Sequence, residues 1–294
     1  MPKSHTDSPG MNALYGEHLL LGASFENAPA VSRYRGEPEL ERLEEAMGDG
    51  AILCDLSVAQ MVLFHGPMAT AFVEAAFAGK RLRVGECAFE AVLTGDGSLA
   101  SIPLLARTGE VEYVCGDFSA RADVLAGWLS FLHSIEQGGT QPFAGLEAEE
   151  VGGTHVALAL WGRKAPMVLA DYLAGASVPK VGSVNSCMLD RLPCIVACPD
   201  LGPEPAYVIL VPPVHAVALW RSLLSFGEVV PVGHDGFRSL VRARLSWTRH
   251  LQTGSTVRVE HGELTAGGIV RHDDSYVGAR GLQAERGAER EVRS

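Results

Sequence analysis

The chain has 294 residues, with 24 Lys or Arg against 35 Asp or Glu, a formal net charge of −11. Its 47% hydrophobic and 20% charged content excludes a disordered chain, and the length accommodates one large or two small domains. The acid excess argues against a nucleic-acid backbone as partner, because that task needs clustered Lys and Arg. Local basic pockets for an anionic small molecule stay open.

Residues 1–11 are polar and lack the apolar core of a secretory leader. The most apolar stretch, 207–220, is broken by Pro212 and Pro213 and is shorter than the roughly 20 residues that span a bilayer. No membrane association is expected. Six cysteines in a chain of this size suggest reduced thiols and a cytoplasmic location. Cys194 and Cys198 stand four apart, with Cys187 seven before, which matches no tight zinc spacing. If 194–198 is a strand, both thiols share one face. Buried thiols are the expectation, and no metal site.

Residues 37–47 read as a helix, with Pro38 in its first turn and Gly48 and Gly50 closing it. Apolar runs at 51–56 and 61–64 read as strands, and 69–77 as a helix with a continuous apolar stripe. Strands are expected at 87–93, 99–106 and 110–115, separated by glycine turns, before a helix at 120–133. The second half repeats the rhythm: strand 154–160, helix 165–173, strands 194–197 and 207–211, helix 214–226, helix 236–246. His65-Gly66-Pro67-Met68-Ala69 and Trp161-Gly162-Arg163-Lys164-Ala165 are echoing strand-to-helix turns. This order describes an α+β protein with antiparallel-rich sheets and helices packed on them. Residues 283–294 read as a charged tail.

Leu14-Tyr15 with His18, Gly22-Ala23 and Phe25, then Asp55-Leu56-Ser57 and Gly66-Pro67-Met68-Ala69, resemble the ordered segments of the glycine-cleavage T-protein (aminomethyltransferase) family. Leu264-Thr265-Ala266-Gly267-Gly268 and Tyr276-Val277-Gly278 resemble its later segments, so the likeness spans about residues 12–282. The resemblance implies a folate-binding region over 12–245, built of two interleaved α/β units, roughly 51–140 and 12–50 plus 150–245. It implies that 246–282 is a remnant linker toward a C-terminal barrel domain, absent from this shortened member, leaving a cleft that a protein partner could cover.

The family places a carboxylate beside the reacting nitrogen of tetrahydrofolate, where its charge supports proton movement. Gapless counting puts that position on Ser101, with Asp96 the nearest replacement, so these two are the catalytic candidates. The family's pterin-reading carboxylate falls on Val208, with Glu204 as a substitute. Phe89, Glu204, Tyr207, Arg238 and Arg242 are the candidate contacts to tetrahydrofolate. A branch that serves iron–sulfur proteins carries a reactive cysteine where this chain has Ser275. The expected function is a one-carbon (aminomethyl or methyl) transferase-like protein binding tetrahydrofolate, with altered catalytic residues. The alternative is a non-catalytic folate-fold subunit, similar to the small subunit of heteromeric sarcosine oxidase.

Overall fold

Contacts divide the chain into two units, each assembled from two separate stretches: Met1–Ala59 with Val151–Ser246, and Gln60–Glu150 with Trp247–Ser294. A computed structural model describes residues 13–26 and 30–282. The polar start at 1–11 and the tail expected at 283–294 lie outside the described residues.

The first unit opens with a short helix α1 (Tyr15–Leu20) and an antiparallel pair, β1 (Ala23–Ser24) and β2 (Arg33–Tyr34). Helix α2 (Leu40–Asp49) buries Leu43 and Met47, four residues apart on one face. It begins later than Pro38 suggests, because Glu39, the residue before it, is extended. Strand β3 (Ala51–Asp55) buries four consecutive residues, the pattern of a strand covered on both faces.

The second unit then supplies β4 (Gln60–His65), α3 (Ala69–Ala76), β5 (Cys87–Phe89), β6 (Val92–Leu93), β7 (Leu99–Ser101), β8 (Leu104–Gly109), β9 (Glu112–Asp117), α4 (Ala122–Ser134) and β10 (Glu147–Glu150). Sequence patterning expects single strands at 87–93 and 99–106; each is broken in two. At the first break the Glu90 and Ala91 amides bond to Pro103 and Ile269 carbonyls. At the second, Pro103 has no N–H to give a ladder. The main sheet runs β10-β4-β9-β8-β5, all antiparallel, while β6 and β7 form a separate ribbon. Phe64, Phe72, Phe77, Leu125 and Leu129 pack as its core.

The first unit resumes with β11 (Val156–Trp161), α5 (Ala165–Tyr172), β12 (Ser183–Leu189), β13 (Leu192–Cys198), β14 (Ala206–Val211), α6 (Pro213–Leu224), β15 (Val229–Pro231) and α7 (His234–Arg244). Its sheet runs β12-β13-β14-β11-β3-β15, antiparallel except for the β15–β3 pair. Every residue of β11 is buried, against a core that includes Leu169, Leu219, Trp220 and Leu223.

The last described stretch carries a 3-10 helix, Ser246–Leu251, and α8 (His261–Ala266). Residues 246–282 read in the sequence as a linker, yet they bond into the second unit. Leu99 and Val257 exchange backbone hydrogen bonds, and the Arg271 amide donates to Ala78.

The two echoing strand-to-helix turns depend on glycine for the same reason. Gly66 has φ +97 and Gly162 φ +145. A Cβ on Gly66 would stand 2.5 Å from the Gly145 carbonyl oxygen; one on Gly162 would stand 2.5 Å from the Gly50 oxygen and 2.7 Å from Ala51 Cα. Gly162→Ala is therefore expected to lower the unfolding free energy by more than about 1 kcal/mol in denaturant titration. Gly127→Ala, at a helical position with open space around it, is expected to raise it by about 0.5–1 kcal/mol.

Candidate functional site

In the second unit, β7 ends at Ser101 and β9 at Asp117, and the turn after β9 leads into α4. Asp117 Oδ1 accepts the Ser119 amide at 2.9 Å, and Ser119 Oγ accepts the Arg121 amide at 3.1 Å. These are local side-chain-to-backbone bonds of the kind Asp and Ser make before a helix. Ser101 Oγ donates to Asp117 Oδ2 at 2.5 Å and lies 3.3 Å from Ser119 Oγ. Ser101 is fully buried and Asp117 is 2% exposed. A carboxylate thus stands one hydrogen bond from the position where the sequence shows only serine. The signal that could have found it is Asp117-Phe118-Ser119-Ala120-Arg121, a strand end followed by a capping turn.

Arg121 fixes this corner. Its guanidinium is fully buried and donates to backbone carbonyls: Nη1 to Leu99 at 2.7 Å and Ala100 at 3.4 Å, Nε to Thr253 at 2.9 Å, and Nη2 to His250. Burial pulls its pKa down, while the Asp117 charge pulls it back up. Truncation would strand those carbonyls, so Arg121→Ala is expected to cost at least about 3 kcal/mol by chemical denaturation. Arg242→Ala, on an exposed helix face, is expected to stay within about 0.5 kcal/mol.

Asp96 lies apart from this cluster in a turn of its own. Its carboxylate accepts Thr94 Oγ at 2.6 Å, the Ser98 amide at 3.2 Å and Ser98 Oγ at 3.0 Å, and pairs with Arg258 at 3.6 Å. The Thr94 hydroxyl first, then the Ser98 donors, hold its pKa at about 2. No bond joins it to Ser101. The Phe89 ring ends β5 with its centroid 5.3 Å from that of Trp247.

In the first unit, Glu204 pairs with Arg244 at 3.4 Å, both side chains mostly buried. Tyr207 is buried in β14, where its hydroxyl meets the Cys198 thiol and burial pushes its pKa up. Val208, beside it, is also buried. Arg238 and Arg242 project from one face of α7, four residues apart. Both are exposed, and among the described residues neither has a hydrogen-bond or ion-pair partner.

The same unit holds a polar network that sequence reasoning did not assemble. His18 Nε2 donates to Asp55 Oδ2 at 2.9 Å, and the Tyr34 hydroxyl lies 2.8 Å from His18 Nδ1. Asp55 Oδ1 accepts the Ser57 amide at 2.9 Å and also the Ser57 hydroxyl. His234 Nε2 donates to the Asp55 carbonyl at 2.8 Å, and burial pulls the His234 pKa down, which keeps it neutral at pH 7. The Asp55 carboxylate thus accepts three hydrogen bonds from its own protein. Of the motif residues quoted above, Ser57 meets Asp55 through a local turn, whereas His18 reaches it across the fold.

One further acid is unusual. Glu90, at the break between β5 and β6, is 1% exposed, and a Cβ on Gly79 would run into its carboxylate. Neither oxygen finds a donor at full hydrogen-bond geometry. Burial pushes its pKa up to about 8, against the opposing pull of Lys80, Arg271 and the Gly79 and Lys80 amides. The folded protein therefore keeps a proton that the unfolded chain releases near its ordinary value of 4.5. The resulting stability is complete below that value and is lost as pH rises through about 8. Melting between pH 5 and pH 9 should show that decline, and Glu90→Gln should flatten it.

Among the described residues His65, Glu147 and Glu149 also meet, with ligand atoms within 4.8 Å of one another on the β4–β10 pair. Both glutamates are exposed and pair with the imidazole, which is the ordinary state of a charged edge strand. No helix among the described residues is long and apolar enough to cross a membrane.

Comparison with known proteins bears on both units. A family model, the GCVT N-terminal domain, matches residues 23–253. An aminomethyltransferase of Streptomyces coelicolor is 26% identical over 241 residues, covering 75% of this chain and 59% of that protein. The chain thus spans about three-fifths of the length of that curated relative. The crystal structure of the glycine cleavage system aminomethyltransferase T from Bartonella henselae superposes with a TM-score of 0.75 at 20% identity, over 94% of this chain and 74% of that one. The fold is the same mixed α/β architecture. A heterotetrameric sarcosine oxidase from Corynebacterium sp. U-96 aligns over 63% of this chain and 89% of its own at 17% identity, with a TM-score of 0.43, too low to bear on function.

Proposed function

Because the chain belongs to the GCVT family, matched over residues 23–253, we propose that it binds a tetrahydrofolate-type molecule without carrying out one-carbon transfer on its own. The two ends of such a ligand make separate demands: a glutamyl tail needs cations, and a pterin needs acceptors and a nearby acid.

The tail is well matched by this chain. Arg238 and Arg242 offer two solvent-facing guanidinium groups on one helical face, which suits bidentate capture of carboxylates. The reacting end is poorly matched. Ser101 and Asp117 are buried and bonded to each other, Asp96 is held in its own turn, and Glu204 is paired with Arg244. Val208, apolar and buried, stands where the family resemblance calls for a pterin-reading carboxylate. That engagement of every candidate acid is the observation on which the reading rests. No transfer step is therefore assigned to these residues. In this reading a protein partner completes the ligand site, in the cytoplasm, the compartment that six unpaired cysteines favour.

One observation favours a second reading, an aminomethyl- or methyltransferase. Asp117 returns a negative charge to within one hydrogen bond of Ser101, and a modest opening of that corner would present it.

Calorimetry with tetrahydrofolate, 5-methyl- and 5-formyl-tetrahydrofolate separates the readings. Binding is expected for the wild type and should weaken about tenfold or more in the Arg238→Ala/Arg242→Ala double variant, since a charge-assisted bond contributes about 1.5–3 kcal/mol. Turnover of the one-carbon unit that disappears in Asp117→Asn would establish the transferase instead. Failure of all three folates to bind sinks both.

A further inference from the structure

Strands β12 and β13 form a hairpin whose register sets Leu189 opposite Leu192 and Cys187 opposite Cys194. The turn between them is Asp190-Arg191, with Asp190 at φ +55, as a two-residue hairpin turn requires. Residues directly opposed in an antiparallel pair hold their Cα atoms about 4.5–5.5 Å apart, within the span a disulfide bridges. The nearer pair in sequence, Cys194 and Cys198, lies along one strand about 13 Å apart and cannot bond.

Both opposed thiols point to the same side of the hairpin. Cys194 is buried in the apolar core of the first unit, and Cys187 packs on it while keeping partial exposure. The remaining cysteines, Cys54, Cys87, Cys115 and Cys198, are all buried.

We propose that Cys187 and Cys194 are a reversible thiol–disulfide pair, a modification site at the edge of the first unit that responds to low-molecular-weight disulfides. The more exposed Cys187 thiolate attacks a sulfur of glutathione disulfide, forming a mixed disulfide and releasing one glutathione. Cys194 then loses its proton and attacks the Cys187 sulfur, releasing the second glutathione. The protein gives up two protons and two electrons, and the oxidant becomes two thiols.

Geometry sets the character of the bridge. Cβ atoms of opposed residues lie about 4.5–5.5 Å apart, against the 3.5–4.5 Å of an unstrained disulfide. Closure therefore draws the strands together and leaves a strained bond that thiols reopen readily. Burial pushes both thiols up, Cys194 to about 12, which makes the closure slow at neutral pH.

The test treats the full chain with glutathione disulfide under native conditions, followed by intact mass, peptide mapping and thiol titration after denaturation. The expected result is a loss of two hydrogens, two fewer titratable thiols, and a cross-link joining Cys187 to Cys194, all reversed by dithiothreitol. Cys194→Ala should instead retain glutathione on Cys187, and Cys187→Ser should form neither product. A wild-type protein that stops at the mixed disulfide, links other cysteines, or keeps all its thiols overturns the proposal.

Discussion

Both units depend on a chain that leaves and comes back. The ladder between β3 and β11, from Leu158 opposite Asp55 to Trp161 opposite Ile52, joins two stretches that are separated by most of the second unit. Non-local pairing of this kind must overcome loop-closure entropy before any contact rewards it. Complete burial of β11 supplies the return, and the glycine at its end lets the Gly50–Ala51 backbone come within contact. In the second unit the closing stretch is held by Leu99 against Val257 and by Arg121, whose guanidinium collects carbonyls from both stretches. A buried cation is tolerable there because its donors are spent on backbone acceptors.

The same economy governs the acids. Asp55, Asp96 and Asp117 each satisfy a local need, as acceptor for a histidine, a turn or a serine, and Glu204 stands in an ion pair with Arg244. A carboxylate that already accepts bonds from its own fold has less to offer a ligand, and a fully buried one has no access to it. The chain's free charge instead lies outward, on the face of α7. Glu90 is the exception, a carboxyl without well-placed donors, which burial keeps protonated.

Much of the architecture was legible because burial leaves a mark in the residue pattern. Continuous apolar runs announced β3 and β11, and apolar stripes announced α3 and α6. Elements without such a mark escaped. Strand β10 is Glu-Ala-Glu-Glu and wholly exposed, and β12 alternates polar residues at the edge of its sheet. The stretch read as a linker, 246–282, has few apolar runs, yet it is stitched into the second unit by backbone bonds that composition does not reveal.

The amino-acid order by itself determined the fold class, the two echoing glycine turns and the resemblance that carries the family, because these rest on local pattern and spacing. Only the tertiary structure decided which side chains meet. Asp117 reaches Ser101 across sixteen residues, His18 reaches Asp55 across thirty-seven, and Cys187 stands opposite Cys194. The physical reason is that a residue pattern records burial and not partners: strand register sets Cys187 opposite Cys194, a contact between the ends of β7 and β9 brings Ser101 to Asp117, and a helix-to-strand contact brings His18 to Asp55.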